Sequence, residues 1–149
     1  MQTLFDPVVY QDVRRRVESI QPHSERQWGK MTAGQMLEHT ARALETATGK
    51  RVSKQAFLGK MIGWMFWKGF VGPKPFGKNG PTGPDFVVQG EPEFGPTKDR
   101  LTTLLGEFHR MGERGCDGHV HGFFGKMTGA EWGVTQYKHL DHHLRQFGA

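Results

Sequence analysis

Apolar positions recur at helical spacing in two segments of the first third of the chain. One follows Asp6-Pro7 and runs through VVYQDVRRRVESI; an Asp can accept bonds from free helix amides, and Pro suits the first helical position. The other opens at Thr32 with the T-x-x-Q spacing of a capping box and continues to Gly49, which tolerates the left-handed conformation of a helix end. Both segments are predicted to be helices.

Two further helices are predicted in the second half of the chain. Thr97 is expected to cap a helix over KDRLTTLLGEFHRMGER that ends at Gly115. Its apolar residues recur at spacings of three and four, as on one helix face: Leu101, Leu104, Leu105, Phe108 and Met111. Thr128 opens a T-x-x-E capping box before a last helix that runs to about Phe147.

Little regular structure is expected between the second and third of these helices. Six of the eight prolines lie between Pro73 and Pro96, with glycines among them, and Pro donates no backbone hydrogen bond. A short helix is predicted over FLGKMIGWMFWKGF, and an extended piece from Asp85 to Gln89. The pattern predicts an all-α fold of one domain over residues 1–149. Its form is a four-helix bundle with a long Pro/Gly-rich crossover between the second and third main helices.

The composition limits the compartment and the class of site. The only cysteine is Cys116, so an intrachain disulfide and a cysteine-rich zinc site are both excluded, which fits a reducing compartment. The N-terminal residues lack the basic and apolar regions of a secretory signal. The longest apolar stretch, Phe57 to Gly72, contains two lysines and is shorter than the roughly 20 residues that cross a bilayer. The expectation is a cytoplasmic protein without a membrane span.

The positive charge is concentrated in one segment. The formal net charge is +5, and the stretch from Thr46 to Pro84 contains seven Lys or Arg residues and no Asp or Glu. In residues 50–78 these cations alternate with aromatic residues, a mixture that suits single-stranded nucleic acid or an anionic lipid surface. A non-catalytic binding module is therefore the alternative function, with nucleic acid the less expected partner.

The same basic segment has two other interpretations. Aromatic residues at helical spacing, such as Trp64, Trp67 and Phe70, more often pack in a core or a dimer contact, and separated lysines usually face solvent. The segment could also line the mouth of an active site and attract an anionic substrate. The sequence leaves these alternatives open.

Three histidines are the candidate metal ligands. His139 and His143 lie four residues apart on the predicted last helix, where they share a face and can chelate one ion. A catalytic zinc usually has three protein ligands and an open position, and His39 on the capped second helix is the candidate third. The competing interpretation is a pair of partly exposed histidines. Leu140 stands where the H-E-x-x-H motif requires Glu, which disfavours a peptidase of that class.

Three other polar residues are candidates for the surroundings of such a site. Gln136 and Gln146 share the helix face of the histidine pair and could hydrogen-bond a metal-bound water or a ligand ring, although amides at a core edge are equally ordinary. His121, just before the last helix, is a candidate for the site mouth, although a loop histidine is the more common role. No phosphate-binding loop, dinucleotide turn or nucleophile elbow is present, so nucleotide hydrolysis and serine-hydrolase chemistry have no support.

Several of these motifs together resemble the DinB/YfiT-like superfamily. They are WGKMT leading into MLEH, then HGFFGKMT, a Trp, and the ending YKHLDHHLRQF, at residues 28–32, 36–39, 121–128, 132 and 137–147. The resemblance covers nearly the whole chain. It is strongest to a bacterial subfamily of unknown function with an HLDHHLRQF-type C-terminal motif.

The resemblance implies a four-helix bundle with a crossover, often a homodimer, whose metal is held by His39, His139 and His143. Many relatives continue the last motif as His-Arg-Gly-Gln; here Leu144 follows the histidine and the arginine is shifted to Arg145, so its role is not transferred. Some members transfer low-molecular-weight thiols or isomerise thiol adducts with a divalent metal.

The leading hypothesis from the sequence is a divalent-metal enzyme, with Zn, Ni, Mn or Fe, that acts on a small-molecule substrate. The reaction would be thiol-transferase-like, with a low-molecular-weight thiol as possible cosubstrate, or hydrolytic. A purely structural metal and a catalytically silent site are the remaining alternatives.

Overall fold

The computed structural model describes residues 1–149 and contains five α-helices and one small β-hairpin. The helices are α1 (Pro7–Ser19), α2 (Ala33–Ala47), α3 (Phe57–Val71), α4 (Phe94–Cys116) and α5 (Gly129–Gln146). The hairpin pairs β1 (Val120–His121) with β2 (Gly125–Lys126) in antiparallel fashion. The predicted all-α character is confirmed in outline. The fold has a fifth helix, α3, beside the four main ones, and the hairpin was not predicted.

The predicted starts of three helices are confirmed by their capping contacts. Asp6 accepts hydrogen bonds from the amides of Val8 and Val9 at the start of α1. Reciprocal capping boxes open α2 at Thr32 and α5 at Thr128, so two otherwise free amides are satisfied at each end. Capping contacts of this kind can be predicted from sequence because the two residues that form each contact lie within one helical turn.

Two local predictions were wrong. The helix that Thr97 was expected to cap begins earlier, at Phe94, so Thr97 lies inside α4 and Glu93 occupies the cap position without a side-chain bond. Gly-Pro in the first turn is compatible with a helix start because the first amides have no intrahelical partner. The piece from Asp85 to Gln89 is not a strand: it begins inside a single 3-10 turn, Pro84–Phe86, and no neighbouring strand pairs with it.

A continuous core of 20 buried apolar residues joins α1, α2, α4 and α5. Trp132 and Phe108 are its largest fully buried side chains. Helix α2 packs along α4 and α5, and α1 packs against the same two helices. This arrangement places the middle of α2 next to the second half of α5, where the candidate ligands lie. The prediction that residues 1–149 form one domain remains a prediction.

Helix α3 is attached to α5 and to the hairpin turn. Gly59 faces the backbone of Phe123 so closely that an added Cβ would overlap its carbonyl. The end of α3 is held by Lys138 of α5, which is only 6% exposed. Its Nζ donates to the carbonyl oxygens of Gly69, Phe70 and Gly72 at 2.9, 2.7 and 2.8 Å.

None of the five helices combines the length and the apolar composition needed to cross a lipid bilayer.

Candidate metal centre

The packing of α2 against α5 brings His39, His139 and His143 together. One ring nitrogen of each histidine lies within 4.8 Å of those of the other two. His39 and His143 are buried, at 6% and 7% exposed, whereas His139 is partly exposed. The cluster is therefore largely removed from solvent.

A backbone carbonyl of the crossover determines the tautomer of His39. Its Nδ1 lies 3.0 Å from the carbonyl oxygen of Phe86, and a carbonyl can only accept, so Nδ1 carries the proton. In the neutral ring this leaves the lone pair on Nε2, the nitrogen that faces His139. Arg42 and Arg51 hold this part of the crossover in place by donating to the carbonyl of Asp85 at 3.4 and 3.3 Å.

An amide side chain determines the tautomer of His143. The Nε2 of Gln146 donates to the carbonyl of Trp28 at 2.8 Å, which orients the amide so that its Oε1 faces His143. The Nδ1–H of His143 donates to that oxygen at 2.8 Å. The lone pair of His143 is therefore on Nε2. Metal-binding histidines are commonly oriented by such a partner on the other ring nitrogen.

His139 completes the group. Its Nε2 lies 2.9 Å from the Nε2 of His39. Without an ion, this distance is a hydrogen bond in which the Nε2–H of His139 donates to the lone pair of His39. Such a pair does not require His143, however, and the convergence of a third inward-facing imidazole is what distinguishes this cluster from two hydrogen-bonded histidines.

The donor set fits a divalent ion. Three nitrogens at the usual zinc–nitrogen distance of about 2.0–2.1 Å in a tetrahedral site lie roughly 3.3 Å apart. The observed separations, 2.9 Å for one pair and at most 4.8 Å for all, differ from this value by amounts that side-chain rotation can accommodate. Three protein nitrogens leave a fourth tetrahedral position for water or substrate.

Burial keeps the three imidazoles neutral, which metal binding requires. Desolvation is the main cause in each case: it lowers the pKa of His39, lowers that of His139 well below its usual value, and lowers the pKa of His143 to about 3. Repulsion from neighbouring histidines lowers the pKa of His139 and of His143 further. The three rings are therefore uncharged at neutral pH, and each can present a lone pair to an ion once the His139 proton has moved to its other ring nitrogen.

His121 is placed in β1 among aromatic rings. Its Nδ1 accepts from the amides of Phe123 and Phe124 at 3.1 and 3.2 Å, so the proton is on Nε2 and the lone pair is used by the hairpin turn. Burial lowers the pKa of His121 to about 4. The residue lies near enough to His139 to depress the pKa of that ring slightly. In this arrangement it organises the turn and has no free lone pair with which to accept a substrate proton.

Gln136 and Gln146, the two amides proposed from sequence, have different surroundings. Gln146 contacts His143 directly, as described above. Gln136 is only 5% exposed, and its Oε1 is buried without a hydrogen-bond partner in the protein. The indole Nε1 of Trp28 is also buried without a partner.

Two other reactive groups lie outside the cluster. His142 stacks edge-on against Trp28 and is not among the three converging rings. Cys116 is fully buried, and burial raises the pKa of its thiol to about 11, which disfavours a nucleophilic role.

A surface hollow of about 410 Å³ is lined by the polar loop after α1 and by Phe147, and none of its lining residues is one of the three histidines.

Two of the groups that orient the cluster have no signature in the sequence. They are the carbonyls of Phe86 and Trp28, which any residue would supply at those positions. The burial of Lys138 at the end of α3 was also not predicted, because lysines are usually exposed.

Comparison of the chain with protein-family models, with curated proteins and with solved structures found no match.

Proposed function

We propose that this protein binds one divalent metal ion through His39, His139 and His143 and is a metal-dependent enzyme. The observation that carries the proposal is the convergence of three neutral imidazoles, two of which have their Nε2 lone pair directed inward by a hydrogen-bond partner on Nδ1. Imidazole nitrogen suits Zn, Fe and Ni better than Mn, which prefers oxygen ligands.

The ligand set determines the chemistry that the site would support. Neutral imidazoles leave the double positive charge of the ion uncompensated, and a bound ion would act as a Lewis acid that lowers the pKa of a coordinated water or thiol. The chain itself orients two of the rings through Phe86 and Gln146 and excludes solvent around His39 and His143.

Between the two reaction classes, the surroundings favour a thiol over water as the activated group. The histidine cluster contains no carboxylate, and the lone pair of His121 is engaged in the hairpin turn. A thiol with a pKa of about 8.5 needs far less assistance to ionise than water at about 15.7. We therefore propose a thiol-transferase-like reaction on a small molecule, with hydrolysis as the second candidate.

The resemblance to the DinB/YfiT-like superfamily supports this proposal. In that reading α1, α2, α4 and α5 form the four-helix bundle, and α3 belongs to the crossover between its second and third members. The three histidines occupy the positions that the resemblance implies for the metal ligands.

Cobalt substitution tests both parts of the proposal. Tag-free, metal-stripped protein is expected to bind one equivalent of Co²⁺ with the strong visible absorption of a low-coordinate site, and added low-molecular-weight thiol is expected to produce a thiolate-to-cobalt charge-transfer band. His139→Ala should abolish both signals, while His142→Ala should retain them. Absence of the cobalt absorption contradicts the metal site. A cobalt spectrum that thiol leaves unchanged contradicts the thiol reaction and favours hydrolysis.

A further inference from the structure

Helix α3 presents an apolar face to solvent. Its outward side carries five large apolar side chains that are more than half exposed: Phe57 (76%), Leu58 (58%), Met61 (57%), Trp64 (75%) and Met65 (60%). A sixth exposed apolar residue of α3, Phe66 (54%), is nearer the hairpin turn, with its ring centroid 6.4 Å from that of Phe123. Scattered single apolar residues are ordinary on a protein surface, but five on one side of one helix form a contiguous patch of the kind that marks an interaction site. We call these five residues the α3 face.

The opposite side of the helix fixes the orientation of the α3 face. Gly59 and Gly63 are buried against the hairpin turn. Trp67 and Phe70 pack on Phe124, with ring centroids 5.4 and 4.2 Å apart. Because α3 is held along this inner side and at its C-terminus by Lys138, it cannot simply turn its outer side into the core.

Unpaired lysines flank the α3 face along the chain. Lys60 and Lys68 lie on the helix itself, Lys54 precedes it and Lys74 follows it. All four are exposed, and none takes part in an ion pair with a carboxylate. No acidic residue occurs between Thr46 and Pro84. The apolar patch therefore belongs to a segment whose charged side chains are all positive.

We propose that the α3 face docks this protein on an anionic lipid surface. Its apolar side chains would enter the boundary between headgroups and acyl chains, and the four lysines would contact lipid phosphates, as in helices that lie in the plane of a membrane. The proposal is independent of the metal site, since none of the three histidines belongs to α3.

Charge and side-chain chemistry favour an anionic lipid surface over a second copy of the chain and over single-stranded nucleic acid. In a face-to-face dimer of this chain, the lysines of the two copies would approach one another without a carboxylate from the same segment to compensate them. Single-stranded nucleic acid is bound by stacking on aromatic rings, whereas Leu58, Met61 and Met65, which offer no ring for a base, occupy much of the α3 face.

Vesicle sedimentation with the full chain tests the docking proposal. Binding is expected to vesicles of phosphatidylcholine with phosphatidylglycerol, not to phosphatidylcholine alone, and is expected to weaken with added salt. Replacing the aliphatic part of the face (Leu58→Ser, Met61→Ser, Met65→Ser) should abolish it. The Lys60→Gln, Lys68→Gln pair should weaken it roughly 30-fold, at about 1 kcal/mol for each basic residue near the surface.

Matched variants and competing partners complete the test. The pair Lys30→Gln, Lys126→Gln removes the same charge from exposed, unpaired positions outside α3 and should retain wild-type binding. The proposal is overturned if the anionic vesicles are not bound, if this control pair loses as much binding as the α3 pair, or if the α3 face instead mediates a dimer or single-stranded DNA binding in the absence of vesicle binding.

Discussion

Gln146 links the loop before α2 to the histidine cluster through two hydrogen bonds. It accepts a hydrogen bond from His143 and donates one to the carbonyl of Trp28. A single side chain therefore fixes both the tautomer and the orientation of the His143 ring. The crossover does the same for His39 through the carbonyl of Phe86. At the scale of single residues, metal affinity is therefore expected to depend on these partners as well as on the three histidines.

Removing the amide of Gln146 is expected to weaken metal binding without removing a ligand. Gln146→Met should lower zinc affinity about 10- to 100-fold, the usual effect of losing a partner that orients a ligand ring. Isothermal titration of metal-stripped protein measures this. Gln136→Met is the matched control, because Gln136 is equally buried on the same helix but contacts no ligand ring through a hydrogen bond. Equal losses in the two variants would contradict the assigned role of Gln146.

The buried histidines are expected to make stability depend on pH in a defined window. The pKa is lowered to about 4 for His121 and to about 3 for His143, from about 6.5 in the unfolded chain. Between these values the unfolded chain binds protons that the folded chain does not, so the free energy of unfolding falls as pH decreases from about 6.5 towards 4.

Urea unfolding of metal-free protein between pH 7 and pH 4 measures this dependence. His121→Phe removes one of the shifted groups and should give a shallower decline, whatever its effect on stability at neutral pH. A decline as steep as that of the unmodified protein would show that His121 does not contribute to it.

Sequence spacing could identify some of these residues and not others. His139 and His143 are on one helix, so their common direction follows from helical geometry alone. His39 is 100 residues away from His139, and only the packing of α2 on α5 brings the two rings within hydrogen-bond distance. The carbonyl of Phe86 could not be identified from sequence, because any residue supplies the same group.

At the scale of elements, α3 and the hairpin show how tertiary contacts decide local structure. The inner side of α3 contains two buried glycines, and its end is capped by a lysine from another helix. The helix pattern of FLGKMIGWMFWKGF was predicted, but its large exposed face was not. The hairpin has only two residues in each strand, which is too short for an alternating pattern to reveal.

Two glycines on α3 provide a matched pair for testing its attachment. Gly59→Ala should destabilise the protein or detach α3, because the new Cβ overlaps the Phe123 backbone. Gly69→Ala has open space around it and should stabilise the helix by about 0.5–1 kcal/mol through propensity alone. Urea unfolding and amide exchange of α3 distinguish the two. A Gly59→Ala variant with unchanged stability and unchanged amide exchange in α3 would contradict the close contact with the hairpin turn.

At the scale of the whole molecule, the core and the histidine cluster are distinct. None of the 20 residues of the apolar core is a candidate ligand, so the core is complete without an ion. This separation predicts a protein that folds without metal and is stabilised further by it. The four amphipathic helices could be predicted from sequence because they build this core. The crossover was also predicted in the sequence, but its course in space, which brings the Phe86 carbonyl to His39, was not.

The metal-free protein should therefore keep its helical circular dichroism and cooperative unfolding. Zinc at 100 times its dissociation constant should add about 2.7 kcal/mol to the free energy of unfolding, by mass action. His143→Ala should remove this gain while leaving a folded protein. Loss of the helical signal on chelation would instead identify the metal as a structural staple.

Zinc titration of tag-free, metal-stripped protein tests the central claim most directly. The unmodified chain and His142→Ala should each bind one equivalent, while His39→Ala, His139→Ala and His143→Ala should each bind at least about 100-fold more weakly, because each removes one of three ligands. Absence of stoichiometric binding by the unmodified chain, or binding that survives in all three ligand variants, would contradict the account.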